Sequence, residues 1–398
     1  MILLAGLVGL VLTLQVSVAG VSRGGGRPQL ALQAAPFDAA ARTKLATLLV
    51  EADETKPEAR ELALDAIRRD PIQPAALRVL AQSLDPAKDR SGNAAMALIE
   101  QSQRLSRRDV ATQMWLIDHY SRLGDVEAAV RQIDVVLRSS ETARPAVFPV
   151  LELAGSDPRG RRIVMRTLAR KPNWARPFAA YAAQAGPNLE FAVEITAPLL
   201  DSSKRDDRDW YQALMNRLVQ GGRLDLAWDI YRQRGLAPAG AAASTVRNGG
   251  FENAEDGSPF DWYFAQESEL RSSRDRIEGG DGLVLELAAY NGRSGDVAHQ
   301  YIRLAPGPHR LRARLGEVPA ERRERPEIRL ECVSAGGGMR LATLIPERAG
   351  TAPSELSATF AVPSNCRFQI ISIRIAGDGP LKDRLPWIDN LRIDGATQ

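Results

Sequence analysis

The sequence predicts a chain of two unlike halves, helical first and antiparallel β second. Three observations carry that prediction. From about Phe37 to Leu236, apolar residues recur at three- and four-residue spacing, as in DVATQMWLIDHYSRL and VEAAVRQIDVVLRS. That is the period of a helix with one buried face. After the low-complexity run GLAPAGAAA the period falls to two. VLELAAY, YIRLAPG, HRLRARL, EIRLECV, RLATLIP, SATFAVP and FQIISIRI alternate or run apolar between Gly, Pro and Ser turns, the pattern of short strands in a sandwich. At the seam the composition changes abruptly. Asn248 to Gln266, NGGFENAEDGSPFDWYFAQ, holds Phe260, Trp262, Tyr263 and Phe264 in a chain that is only 6% aromatic.

These observations divide the chain into residues 1–22, a transmembrane anchor or signal peptide; 23–36, a linker; 37–236, helical repeats; 237–244, a linker; and 245–398, a β-sandwich. At 398 residues there is room for several cores. Net charge is +3, spread thinly along the chain, so no domain has the basic excess that phosphate backbones select for. Nucleic acid is excluded as a partner on that ground.

Residues 1–21 are uncharged, with only Thr13, Gln15 and Ser17 polar. As a helix rising 1.5 Å per residue, this stretch matches a hydrocarbon core of about 30 Å. Two readings stand. The length and the missing basic flank favour an uncleaved anchor. Ser17-Val18-Ala19 would suit signal-peptide cleavage. Arg23 and Arg27 would keep the body cytoplasmic by the positive-inside rule, a weak vote beside so short an N-terminal flank. The expected location is a bacterial inner membrane with the body in the periplasm, a cleaved soluble periplasmic form being the alternative.

Within the helical half, Leu116, Tyr120, Gly124, Ala129 and Ile133 set a frame that returns as Leu214, Leu218, Gly222, Ala227 and Tyr231. Ala59, Ala63 and Ala66 before Asp70-Pro71 give the second half of an earlier unit, and the stretch 140–190 cannot be phased. In this frame the small Ala lets the second helix approach the first. The half resembles the tetratricopeptide repeat family over roughly 200 residues, an unrelated helical bundle being the alternative. The resemblance implies a scaffold for protein partners. Arg159, Arg161, Arg162, Arg166, Arg170, Lys171 and Arg176 crowd one stretch, with no acid between Asp157 and Glu190. They form a candidate anion-facing patch or an ordinary solvated helix face.

Asn-Gly-Gly-Phe-Glu at the opening of the β half, with Trp387-Ile-Asp-Asn-Leu-Arg-Ile-Asp at its close, resembles the two ends of a galactose-binding-like jelly roll. Carbohydrate-binding modules share that fold. The resemblance implies that the two end strands lie together, with Phe251 inward, Glu252 outward and Pro259 to Trp262 forming a second strand. It also makes Glu252 and Asp389 candidate ligands of a structural Ca²⁺, though two carboxylates fall short of the oxygen set that ion takes. No other cofactor is expected. A sugar face needs exposed flat rings and nearby polar groups. Trp262, Tyr263, Tyr290 and Tyr301 are the candidates, each weighed against a role in the core.

Both cysteines, Cys332 and Cys366, fall in this half. Their confinement to one domain favours a disulfide and an oxidising compartment over two buried thiols. The three histidines, His119, His299 and His309, fall in no catalytic motif, and no P-loop, G-x-S-x-G or H-E-x-x-H occurs. The expectation is a non-enzymatic envelope protein, serving polysaccharide assembly, export or retention. A purely protein–protein scaffold is the alternative, and a divergent hydrolase the third reading.

Overall fold

The computed structural model describes residues 26–52, 56–84, 92–199, 205–234, 246–277, 282–333 and 338–395. The expected membrane segment 1–22 and linker 237–244 lie outside the described residues. Among those described, no helix is long and apolar enough to cross a membrane.

The helices are α1 (Pro28–Ala34), α2 (Ala39–Glu51), α3 (Lys56–Arg69), α4 (Pro74–Gln82), α5 (Asn93–Leu105), α6 (Val110–Arg122), α7 (Val126–Ser139), α8 (Arg144–Ser156), α9 (Pro158–Leu168), α10 (Ala175–Ala185), α11 (Leu189–Thr196), α12 (Arg205–Gln220) and α13 (Leu224–Gln233). Helix α1 occupies residues expected as linker; Pro28 sits in its first turn, where a missing N–H costs nothing. Local chemistry sets several starts. Asp38, Asp109, Asp125, Asp157 and Asn188 each accept a backbone N–H three residues on, from Ala41, Thr112, Ala128, Gly160 and Phe191. Gly124 and Gly222 take left-handed φ values of 71° and 68° at the turns joining α6 to α7 and α12 to α13. The repeated frame thus falls on two helix pairs, α6 with α7 and α12 with α13, each joined by a glycine turn. Ala129 and Ala227 are both buried, as are Ala59, Ala63 and Ala66 in α3.

The chain divides into two compact units between Phe178 and Ala179. The first holds α1 to α9 and the start of α10. The second holds α11 to α13 together with every strand. A boundary within the helical half, rather than at its end, was not visible in the hydrophobic period.

The second unit carries two five-stranded antiparallel sheets. One has the order β1-β4-β9-β6-β7, the other β2-β3-β10-β5-β8. The strands are β1 (Tyr263–Phe264), β2 (Leu270–Asp275), β3 (Val284–Ala289), β4 (Arg293–Ile302), β5 (Gly307–Gly316), β6 (Glu327–Cys332), β7 (Met339–Leu344), β8 (Ser354–Val362), β9 (Gln369–Gly377) and β10 (Trp387–Gly395). Alternate residues of both sheets, among them Leu285, Leu287, Leu311, Leu315, Ile328, Leu330, Ile371, Ile373 and Ile388, build one core. Cys332 and Cys366 are joined by a disulfide with Cα atoms 5.7 Å apart, tying the end of β6 to the approach to β9.

The opening motif differs from its expected form. Asn248 to Gly250 make a turn and not a strand, with Asn248 and Phe251 at φ 50° and 59°. Leu391 donates its N–H to the Gly249 carbonyl at 2.8 Å, where β10 bulges between Asp389 and Arg392. The chain ends do lie together, through a bulge contact. Phe251 is fully buried and Glu252 is exposed. Pro259 to Trp262 form no second strand. The carboxylates of Asp256 and Asp261 and the Ser258 hydroxyl accept backbone N–H groups of Asp256, Ser258, Phe260 and Trp262. These side-chain bonds compete with a ladder and win. Only Tyr263 and Phe264 pair, with His299 and Ala298 of β4.

Candidate functional site

A cleft of about 390 Å³ opens in the second unit. Its lining comes from three places. Helix α12 gives Gln212, Asn216, Val219 and Gln220; the opening loop gives Gly257, Ser258, Pro259, Trp262 and Tyr263; β4 gives His299 and Tyr301. The volume lies within the usual range of about 300–1,000 Å³ for small-ligand sites.

The aromatic wall follows from strand geometry. Residues two apart on a strand share a face, so His299 and Tyr301 point the same way, and the β1–β4 register sets Tyr263 opposite His299. The ring centroids of Tyr263 and His299 are 4.8 Å apart, those of His299 and Tyr301 6.1 Å. Tyr263 remains 58% exposed. Burial holds the His299 imidazole below its ordinary pKa although Asp296 pulls it upward, so the ring is neutral at pH 7. Burial likewise raises the Tyr301 phenol.

The opposite wall follows from helix geometry. Gln212, Asn216 and Gln220 stand four residues apart on α12, one stripe of a helix, and all three are exposed. Among the described residues no protein group hydrogen-bonds their side-chain amides. Gly257, at φ 75°, leaves room for Gln212: a Cβ there would stand 1.9 Å from the Gln212 amide nitrogen.

The loop between the walls is held from beneath. Buried Gln300 on β4 accepts the Arg247 N–H and donates to the Arg247 carbonyl, each at 3.0 Å. The Arg247 guanidinium pairs with Asp256 at 2.8 Å and with Asp261 at 3.6 Å, and donates to the Tyr231 hydroxyl at 2.9 Å. Burial raises the Asp261 carboxyl, although backbone N–H donors and Arg247 oppose it. Tyr301 closes the loop by donating its N–H to the Pro259 carbonyl at 2.8 Å.

The sequence-derived candidates scatter. Tyr263 and Tyr301 meet in the cleft. Trp262 borders it, yet at 3% exposure it belongs to the core, tilted against Phe251 and donating its indole N–H to the Asn248 carbonyl. Its face is not offered to a ligand. Tyr290 lies elsewhere, its hydroxyl spent on the Ser268 carbonyl. His299 and the three amides were missed. The amides carried a faint signal, four-residue spacing on a predicted helix, which a solvated face also shows.

Glu252 and Asp389 lie about Gly250, whose Cβ would stand 3.8 Å from an Asp389 oxygen and 3.9 Å from the Glu252 Cγ. Burial raises the Asp389 carboxyl, and the Glu252 charge adds to the rise. Each already accepts a backbone N–H, Glu252 from Leu283 and Asp389 from Asn390. Among the described residues no group of three or more His, Cys, Asp or Glu is placed to hold a metal. Calcium takes six to eight oxygens, so this pair would need carbonyls or water besides.

The basic residues sit in the first unit. Arg159, Arg162, Arg166 and Arg170 are exposed on or just past α9, and Lys171 beside them is exposed with φ 51°. Arg161 donates to the Gly155 carbonyl at 2.9 Å, Arg166 lies 3.9 Å from Glu127, and Arg176 is half-buried on α10.

No protein-family model matches the chain, and no curated protein matches it. Among solved structures, it is similar to a CBM4 carbohydrate-binding module, at 13% identity over 37% of this chain and 98% of that one, TM-score 0.28. It is similar to the TmCBM61 module in complex with β-1,4-galactotriose, at 14% identity over 39% of this chain and 100% of that one, TM-score 0.27. It is also similar to the enzymatically active domain of tailspike protein 4 of Bacteriophage CBA120, at 14% identity and TM-score 0.30, over 38% of this chain. The match spans about a fifth, 21%, of that tailspike chain.

Proposed function

We propose that this chain is a non-enzymatic glycan-binding protein of a bacterial envelope, and that its ligand enters the cleft between α12 and β4. One observation carries the reading. A row of three rings, one of them mostly exposed, faces a stripe of hydrogen-bonding amides with no protein partner among the described residues. Flat rings offer an apolar face to sugar C–H groups, and amides reach hydroxyls. Among the described residues the cleft lining holds no carboxylate, whereas glycoside cleavage uses a pair of them, which supports retention over hydrolysis. The Cys332–Cys366 disulfide supports an oxidising compartment, and the apolar residues 1–22 would direct the chain there as anchor or cleaved signal. The helical repeats, tetratricopeptide-like in frame, are the surface we assign to protein partners, with the exposed arginines of α9 the place for an acidic one.

The test is affinity electrophoresis of the full chain through gels containing envelope polysaccharides. Retardation should fall about tenfold in Tyr263→Ala, the loss of roughly 1.4 kcal/mol of ring contact, and should be unchanged in Tyr290→Ala. If no polysaccharide retards the folded chain, or if the two variants behave alike, the cleft is not a glycan site.

A further inference from the structure

Among the described residues every side chain lining the cleft is uncharged. Gln212, Asn216 and Gln220 form one wall, Tyr263, His299 and Tyr301 the other, and Ser258 and Pro259 lie between them. In the loop, Arg247 is paired with Asp256 and Asp261, and on β4 the Asp296 charge acts on His299. An amide carries both donors and an acceptor, which matches a sugar hydroxyl that is donor and acceptor at once. A carboxylate or sulfate only accepts hydrogen bonds. In this lining it would lose water without meeting a cation, and an unpaired charge is costly to desolvate.

We infer that the cleft selects neutral glycans over acidic ones, and that Gln212 and Asn216 on α12 determine that specificity. The inference rests on the glycan reading above and goes beyond it in two respects. It names the class of ligand, and it assigns discrimination to a helix outside the sheets. The neutral His299 ring agrees, since an imidazolium there would attract an acid.

The experiment is isothermal titration of the full chain with paired tetrasaccharides. Gluco-, galacto- and manno-oligosaccharides are each set beside the same sugar oxidised at C6 to the uronate. The neutral member of at least one pair should bind, with its uronate at least about tenfold weaker because the carboxylate enters unpaired. Gln212→Ala and Asn216→Ala should each weaken the neutral member about three- to tenfold, the worth of one neutral hydrogen bond. Both side chains are exposed, so the fold should survive, as checked by an unchanged urea midpoint. Gln212→Lys should narrow or invert the preference by supplying a cation. A uronate bound as tightly as its neutral partner, with that binding lost in Tyr263→Ala, would overturn the inference while leaving the glycan site intact. Binding by neither series would remove the glycan reading and the inference with it. An unmoved preference in Gln212→Lys would show that the helix does not set specificity.

Discussion

Cutting the chain at residue 246, where the β pattern begins, should leave a poorly folded sandwich. Phe260 and Phe368 are 2% and 7% exposed, yet neither belongs to the core between the sheets. They are covered by α13. The Trp228 and Tyr231 rings each stand 5.0 Å from Phe260, and Trp228 stands 6.4 Å from Phe368, with Arg303 over the Trp228 face at 5.8 Å. Uncovering two such rings costs roughly 1.5–3 kcal/mol each, and each lost ring pair about 0.5–1.5 kcal/mol more. Over two rings and three ring pairs the sum is roughly 5–10 kcal/mol, against a typical total stability of about 5–15 kcal/mol. The fragment 246–398 should therefore unfold at a much lower urea midpoint than 179–398, or aggregate and bind a hydrophobic dye. Within the full chain, Trp228→Ala should cost about 2–4 kcal/mol, below the fully buried limit because the indole is partly exposed. Intrinsic fluorescence and far-UV circular dichroism would follow both transitions. A fragment 246–398 that unfolds at the same midpoint as 179–398 would refute the reasoning and return the domain boundary to the linker at 237–244.

Three further outcomes are expected. Cys332 and Cys366 should resist alkylation until reduced, and the double serine variant should lose about 3–4 kcal/mol for a separation of 34 residues; labelling without reductant would refute this. Gly249→Ala should cost about 2 kcal/mol or more, since its Cβ would lie 1.8 Å from the Leu391 carbonyl oxygen, and a variant as stable as the parent would mean the bulge contact is dispensable. Because the folded chain holds His299 neutral, the unfolded chain takes up the proton first, below about pH 6.5. Stability at that site should be complete above this pH and fall as the pH drops below it, a dependence that should shrink in His299→Gln and is read from urea midpoints between pH 5 and 8.

Much of this architecture was written in local patterns. Periods of 3.6 and 2 respond to burial on one face of a helix or strand, so they register without knowledge of the partner element. Helix and strand content and the glycines of the repeated frame, Gly124 and Gly222, were legible on those terms, while the inward Phe251 was implied by the resemblance of the opening motif. The pairing of Cys332 with Cys366 followed from there being no other cysteine to choose. What the sequence left open was which surfaces meet. That Pro259 to Trp262 coil rather than pair depends on Asp256, Ser258 and Asp261 bonding to the loop's own backbone. That Trp262 is buried while its neighbour Tyr263 is exposed depends on which ring the β1–β4 register turns outward. That α13 belongs with the sheets is set by Phe260 and Phe368, two aromatics that no period distinguishes from core residues. Above all, the cleft joins α12 to β4 across about eighty residues of chain, and its amides gain meaning only from the rings they face. Periodicity fixes the inside of each element. The site lies between elements, and only their packing creates it.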